Sequence, residues 1–233
     1  MQNADDCASW HAKHESHRRI NAVLWQWLEA FFLTGGRVLT LPCHSGKQEN
    51  EILDKLQELE AAHSTKSKIK LITVDNKLRK EATNVRLATP AHLWEHYIAD
   101  VFSVLCNLPQ DNLPTAAWLD LTGGLTEYNR LGIERVVNWS FPHGSLLFVT
   151  LQVHGCRQPG QLLTKLHKGC KTPEGRLKLD GKLLEHTIRA KGKRYLMPCF
   201  LDDGPFLYTN KRGNTRYGVY GYLVGETKIT TTS

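Results

Sequence analysis

The chain has no segment suited to crossing a membrane, no closely paired cysteines and no intact nucleotide-loop motif. Its most hydrophobic run, Ile20 to Leu33 (INAVLWQWLEAFFL), is too short to span a bilayer and contains Gln26 and Glu29. The residues before it include Asp5 and Asp6 and lack the layout of a cleavable signal peptide. The six cysteines, Cys7, Cys43, Cys106, Cys156, Cys170 and Cys199, are scattered, and none forms a CxxC pair. At this length they do not describe a disulfide-stapled miniprotein. They fit reduced thiols in a cytoplasmic protein. No internal repeat, low-complexity tract or convincing linker interrupts the chain, which argues against a solenoid or a string of modules. One domain over 37–233, preceded by a helical extension over 1–36, is the expected organisation.

What is present is ordinary in bulk and informative in order. The 233 residues suffice for one large core, and 41% hydrophobic with 23% charged residues is typical of a globular protein. The formal charge is +7, which is compatible with an anionic partner without demanding one.

The stretch RVLTLPCHSGKQE, Arg37 to Glu49, reads as strand, tight loop and helix. That arrangement sets backbone N–H groups and a helix N-terminus beside an anionic or nucleotide ligand. A helix is expected before it, over 15–34, ended by Gly35 and Gly36, with residues 1–14 polar and loosely ordered. Packing under the main sheet is its favoured role, and a protein partner on the 20–33 segment is the alternative.

An alternation of strands and helices follows. Strands are expected at Val38–Pro42, Ile69–Asp75, Val85–Thr89, Ala116–Thr122 and Ser145–Val153. The helices between them are Lys47–His63, a short Asn76–Ala82, Ala91–Cys106 and Thr126–Asn138. Helical pieces lie between Gly160 and Ala190, broken near Thr172 and Pro173. Tyr195–Leu201 and Tyr217–Val224 then form an antiparallel hairpin around DDGPFLYTNKRGNTR. Five strands alternating with helices predict an α/β chain with a parallel sheet covered on both faces.

This order resembles the class I S-adenosylmethionine-dependent methyltransferase fold, a seven-stranded Rossmann-like sheet whose last strand is inserted antiparallel beside the fifth. The resemblance covers about residues 37–225 and rests on topology and on the positions of acidic residues. It implies S-adenosylmethionine as cofactor. In that family the first strand ends in a glycine-rich loop on the cofactor, matched here by Pro42, Cys43, His44 and Gly46. Only one glycine is present, and the usual acid within the first strand is missing. Asp75 matches the acid that closes the second strand, where a carboxylate can accept bonds from both ribose hydroxyls. A helix N-cap is the competing role for Asp75.

The loop after the third strand, Ala88 to His92, matches the adenine side without any specific residue. The fourth strand ends in AAWLDLTGG. The resemblance places Asp120 at both the cofactor and the reacting centre as the catalytic carboxylate, with Thr122 and Gly123 on the acceptor. A structural anchor for the glycine turn is the other reading of Asp120.

Other constellations fare less well. SGKQ matches only Gly46 and Lys47 of a P-loop, because Leu41 replaces the first glycine and Gln48 the magnesium-binding Ser/Thr. Cys7, His11, His14 and His17 have metal-like spacing but no second ligand cluster, and no metal is expected. Cys43 and His44 are adjacent, which does not make them face one another.

The stretch Lys165 to Arg194 holds ten Lys or Arg against three acids. Lys191, Lys193 and Arg194 are its candidates for RNA or DNA phosphates near the acceptor rim, and a solvated helix face is the bland alternative. The function that follows is S-adenosylmethionine-dependent methyl transfer, with nucleic acid as a candidate acceptor. The alternative is a non-catalytic nucleic-acid- or protein-binding module on a degenerate version of the same fold.

Overall fold

A computed structural model describes residues 5–41, 46–75, 93–121, 123–154, 170, 172–191, 194–200, 204–209 and 215–226. The elements in order are α1 (Asp5–Phe31), β1 (Gly36–Thr40), α2 (Lys47–His63), β2 (Ile69–Asp75), β3 (Trp94–Ile98) and α3 (Val101–Asn107). There follow a single 3-10 turn (Gln110–Asn112), β4 (Ala116–Asp120), α4 (Glu127–Trp139), β5 (Leu146–His154), α5 (Pro173–Lys191), β6 (Arg194–Pro198), β7 (Phe206–Thr209) and β8 (Arg216–Glu226).

The strands form one sheet in the order β3-β2-β1-β4-β5-β8-β6. Strands β1 to β5 are parallel to their neighbours, and β8 runs antiparallel between β5 and β6. Strand β7 shares the outer edge of β8 with β6, pairing Arg216–Val219 while β6 pairs Tyr222–Glu226. The expected mostly parallel sheet with an antiparallel C-terminal hairpin is thus present, with β7 as an additional short strand.

Alternation along each strand sorts the core into two layers. Val38, Leu71, Trp118 and Phe148 face one way and pack with Ile20, Leu24 and Leu28 of α1, Phe32 just past its end, and Ile52 and Leu56 of α2. Leu39, Ile72, Leu119, Leu147 and Val149 face the other way, onto Phe102 and Leu105 of α3, Ile133 and Val136 of α4 and Leu177 and Leu184 of α5. The described apolar stripe of α1 is therefore spent under the sheet, and Leu33, just beyond the helix end, is exposed. Its end is a glycine stop: Gly35 has φ 95° and donates to the Phe31 carbonyl at 2.8 Å.

Three expectations need correction. Helix α1 begins at Asp5, so residues 5–14 are helical. Ala91–Cys106 is not one helix. Trp94, Tyr97, Ile98, Val101 and Phe102 recur at helical spacing, yet Trp94–Ile98 pairs in parallel along β2 and Asp100 caps a separate helix through Ser103 N–H at 3.0 Å. Sheet pairing decided a segment whose aromatic and β-branched residues suit either state. Phe206–Thr209, expected to lie within a turn-rich connection, pairs with β8 as β7. The expected elements at Asn76–Ala82 and Val85–Thr89 lie outside the described residues.

Candidate functional site

The strand order reverses between β1 and β4, and in open α/β sheets the crevice beyond the carboxyl ends at such a reversal is where ligands bind. Thr40 closes β1, Asp75 closes β2 and Asp120 closes β4. Thr40 pairs with Thr73 on one side and Trp118 on the other, so Asp75 and Asp120, two residues further along, stand on either side of the β1 end. All of them belong to the α1/α2 face of the sheet by strand alternation. Gly46 introduces α2 in the left-handed region at φ 57°, ψ 18°, a conformation that favours glycine. Asp75 is buried at 7% exposure.

The first turn of α2 turns inward. Gln48 and Glu49 are 3% and 1% exposed, although both are polar. The Thr40 hydroxyl donates to Glu49 Oε1 at 2.9 Å, and Glu49 Oε2 has no hydrogen-bond partner among the described residues. Burial pushes the Glu49 carboxyl above the usual range; its own backbone N–H and Thr40 pull it partly back, and the charges of Asp120 and Glu51 add to the rise. Gln48 Nε2 donates to Asn21 Oδ1 at 2.6 Å, and Asn21 Nδ2 donates to Glu51 Oε2 at 2.8 Å. These bonds fasten the start of α2 to α1.

A narrow cleft lies over this turn, lined by His17, Thr40, Leu41, Gln48, Glu49, Trp118 and Asp120, with space for about one water molecule. His17 of α1 meets the Trp118 indole edge-on, with ring centroids 4.9 Å apart. On the side of β7, Tyr208 stacks on Tyr217 at 5.0 Å, and the Arg19 guanidinium sits 4.2 Å from the Phe206 ring centre. Burial, and next to it the Asp120 charge, push the Tyr208 hydroxyl far above its ordinary pKa, so it stays a neutral donor. The edge is therefore acidic and aromatic.

Of the residues singled out from sequence, Gly46, Asp75, Asp120 and Gly123 gather at this edge; the Gly123 carbonyl accepts from Gln152 N–H at 3.1 Å. Pro42, Cys43, His44, Thr122 and Lys193 lie outside the described residues. Lys191 and Arg194 are elsewhere: Arg194 opens β6 opposite Glu226, whereas Asp120 is level with Thr150 and Val219. Seven residues of β8 separate the two levels, roughly 23 Å of strand. The reason is directional: α5 runs away from the carboxyl edge, so its basic end arrives at the amino edge. Among the described residues no cluster of His, Cys, Asp or Glu is arranged to hold a metal.

Glu49 and His17 had no role in the expected site. Glu49 nevertheless shares the α2 face of Ile52, Leu53 and Leu56 at spacings of three, four and seven, so its inward direction was available from the pattern.

No protein-family model matches the chain, and no curated protein matches it. Solved structures do. Aeropyrum pernix fibrillarin in complex with natively bound S-adenosyl-L-methionine aligns with TM-score 0.49 at 10% identity, over 81% of this chain and 66% of that one. Methanococcus jannaschii fibrillarin, a pre-rRNA processing protein, aligns with TM-score 0.48 at 10% identity over 82% and 68%. The [4+2]-cyclase SpnF aligns with TM-score 0.47 at 13% identity over 86% and 80%. The ground for the fold is the strand order with its antiparallel insertion of β8 between β5 and β6. The chain has the class I methyltransferase fold.

Proposed function

We propose that this chain binds S-adenosylmethionine at the carboxyl edge of its sheet and transfers the methyl group to an acceptor there. One observation carries the reading: Asp75 and Asp120 flank the β1 end at the strand-order reversal, beside a left-handed Gly46 that opens α2. The donor set fits the cofactor. Asp75 would accept bonds from a ribose diol, and the α2 N-terminus behind Gly46 favours a carboxylate. Pro42, Cys43 and His44 complete the proposed cofactor side.

The bound cofactor supplies an electrophilic methyl group on a sulfonium. The chain's own part is to hold the acceptor in line and to take its proton, for which Asp120 is the candidate base. Thr122 and Gly123 follow Asp120 on the acceptor side. A cytoplasmic location fits the free thiols of Cys106, Cys170 and Cys199.

The acceptor has two candidate chemistries. The +7 charge and the exposed Lys178 and Lys182 of α5 support a polyanion such as RNA. Lys191 and Arg194 would meet such a chain only at a distance from the reacting centre. The acidic and aromatic edge around Asp120 supports a cationic acceptor instead.

Calorimetry with S-adenosylmethionine and S-adenosylhomocysteine tests the cofactor. Binding of both is expected, and Asp75→Ala should weaken it about tenfold, as for loss of about 1.5 kcal/mol of hydrogen bonding. Absence of heat with either ligand at millimolar concentration rejects methyl transfer in favour of a non-catalytic binding module.

A further inference from the structure

Two carboxyl groups and an indole meet in the cleft between α1, α2 and β4, and one of the carboxyl oxygens, Glu49 Oε2, is buried without a hydrogen-bond partner among the described residues. An acid in that position has had its water removed and has received only the Thr40 hydroxyl and its own backbone N–H in exchange. Among the described residues that line the cleft there is no lysine or arginine, and His17 is the one basic side chain. The missing partner is a cationic donor, and the space available, about one water molecule, is the size of an ammonium head. The Trp118 indole adds an aromatic wall of the kind that attracts such a charge.

We propose that this cleft is an ammonium subsite and that the methyl acceptor is a primary amine whose nitrogen enters it between Glu49 and Asp120. The inference rests on the methyl-transfer reading for the word acceptor, but not for the ammonium site itself. The amine enters as an ammonium, which Glu49 holds by charge and through Oε2. One ammonium proton then passes to the Asp120 carboxylate, leaving a neutral amine whose lone pair would form the N–C bond as the methyl–sulfur bond breaks and S-adenosylhomocysteine leaves.

The groups facing Glu49 are Asp120 from β4, Glu51 from its own helix and His17 from α1, with Thr40 from β1. Both neighbouring acids raise its proton affinity, so entry of a cation reverses the balance and releases the Glu49 proton.

The test uses the full chain and n-butylamine, with n-butanol as the uncharged control, in calorimetry at mildly acidic pH in two buffers of different ionisation enthalpy. The expected result is binding of the amine but not the alcohol, with proton release visible as a buffer-dependent heat. Glu49→Gln should lower amine affinity at least tenfold and abolish the release; Asp120→Asn should weaken binding while leaving the release. Equal binding of amine and alcohol overturns the subsite, as does unchanged proton release in Glu49→Gln protein whose melting curve shows it folded.

Two further arms separate the sources of the ammonium. If S-adenosylmethionine displaces butylamine while 5′-methylthioadenosine, which lacks the amino-acid end, does not, the subsite belongs to the cofactor and the amine acceptor is rejected. If butylamine binds but S-adenosylmethionine does not bind at all, the ammonium site stands and methyl transfer fails. An RNA oligonucleotide that binds where butylamine does not would overturn the proposal in favour of a polyanionic acceptor.

Discussion

Glu49 reaches back across the β1–α2 turn to accept the Thr40 hydroxyl at 2.9 Å, so a helix side chain is bonded to the last residue of the strand it follows. The bond is buried, and removing the hydroxyl leaves both Glu49 oxygens without that donor. Thr40→Val should therefore destabilise the protein by about 1–2 kcal/mol in chemical denaturation at neutral pH. Little change in the denaturation midpoint would show that the carboxyl finds another donor.

The same carboxyl fixes a pH dependence. Its folded pKa lies above the ordinary 4.5, so the folded state binds more protons than the unfolded one above that value. Stability should fall as pH rises from about 4.5 toward the folded pKa and then level off. Glu49→Gln should flatten this part of the profile. Thermal melts of both proteins between pH 4.5 and 8 measure the difference, and parallel profiles would remove Glu49 as its source.

Gly132 decides how closely α4 approaches α3. A Cβ there would lie 2.5 Å from the nearest Phe102 ring carbon. Alanine is the better helix former by about 1 kcal/mol, but overpacking a fitted contact costs about 1–3 kcal/mol. The clash should win in Gly132→Ala by about 1 kcal/mol, read as a lowered melting temperature. Gly132→Ala combined with Phe102→Leu should recover part of the loss.

Asp100 serves two elements at once. It caps α3 through Ser103 N–H and accepts the Tyr128 hydroxyl of α4 at 2.6 Å. That bond, followed by burial, pushes the Tyr128 pKa to about 12. Because the neutral phenol is the favoured form, the contact is intact below pH 10 and is lost as pH rises through 12. Ultraviolet titration of tyrosinate in Asp100→Asn protein should show one group returning toward 10.

How much of this could be read beforehand varied with the kind of interaction involved. Strands β1, β2, β4 and β5 are dense apolar runs closed by Pro, Gly or acidic residues, and their places agree with the expectation to within a few residues. Strand β3 was missed because its aromatic residues fall into step with those of the helix after it; only pairing to β2 separates them. The places of Asp75 and Asp120 at strand ends were legible because each ends an apolar run. Glu49 escaped because an acid in the first turn of a helix reads as dipole charge, and its burial depends on α1 arriving from the other side. Lys191 and Arg194 were assigned to the wrong rim because composition reports the charge of a segment and not the direction in which its helix runs.

The placement of β8 has a consequence for how the protein is made. Among the described residues, strands β6 and β7 join the sheet only through β8, and Leu146 on β5 pairs with Leu223, seventy-seven positions later. The edge of the growing sheet at β5 therefore stays open until residues 216–226 leave the ribosome, and β6, already synthesised, waits unpaired. Closure of the C-terminal half is a single late event of high contact order. Until then the apolar Leu146–Val153 edge is the part of the nascent chain most in need of protection by chaperones.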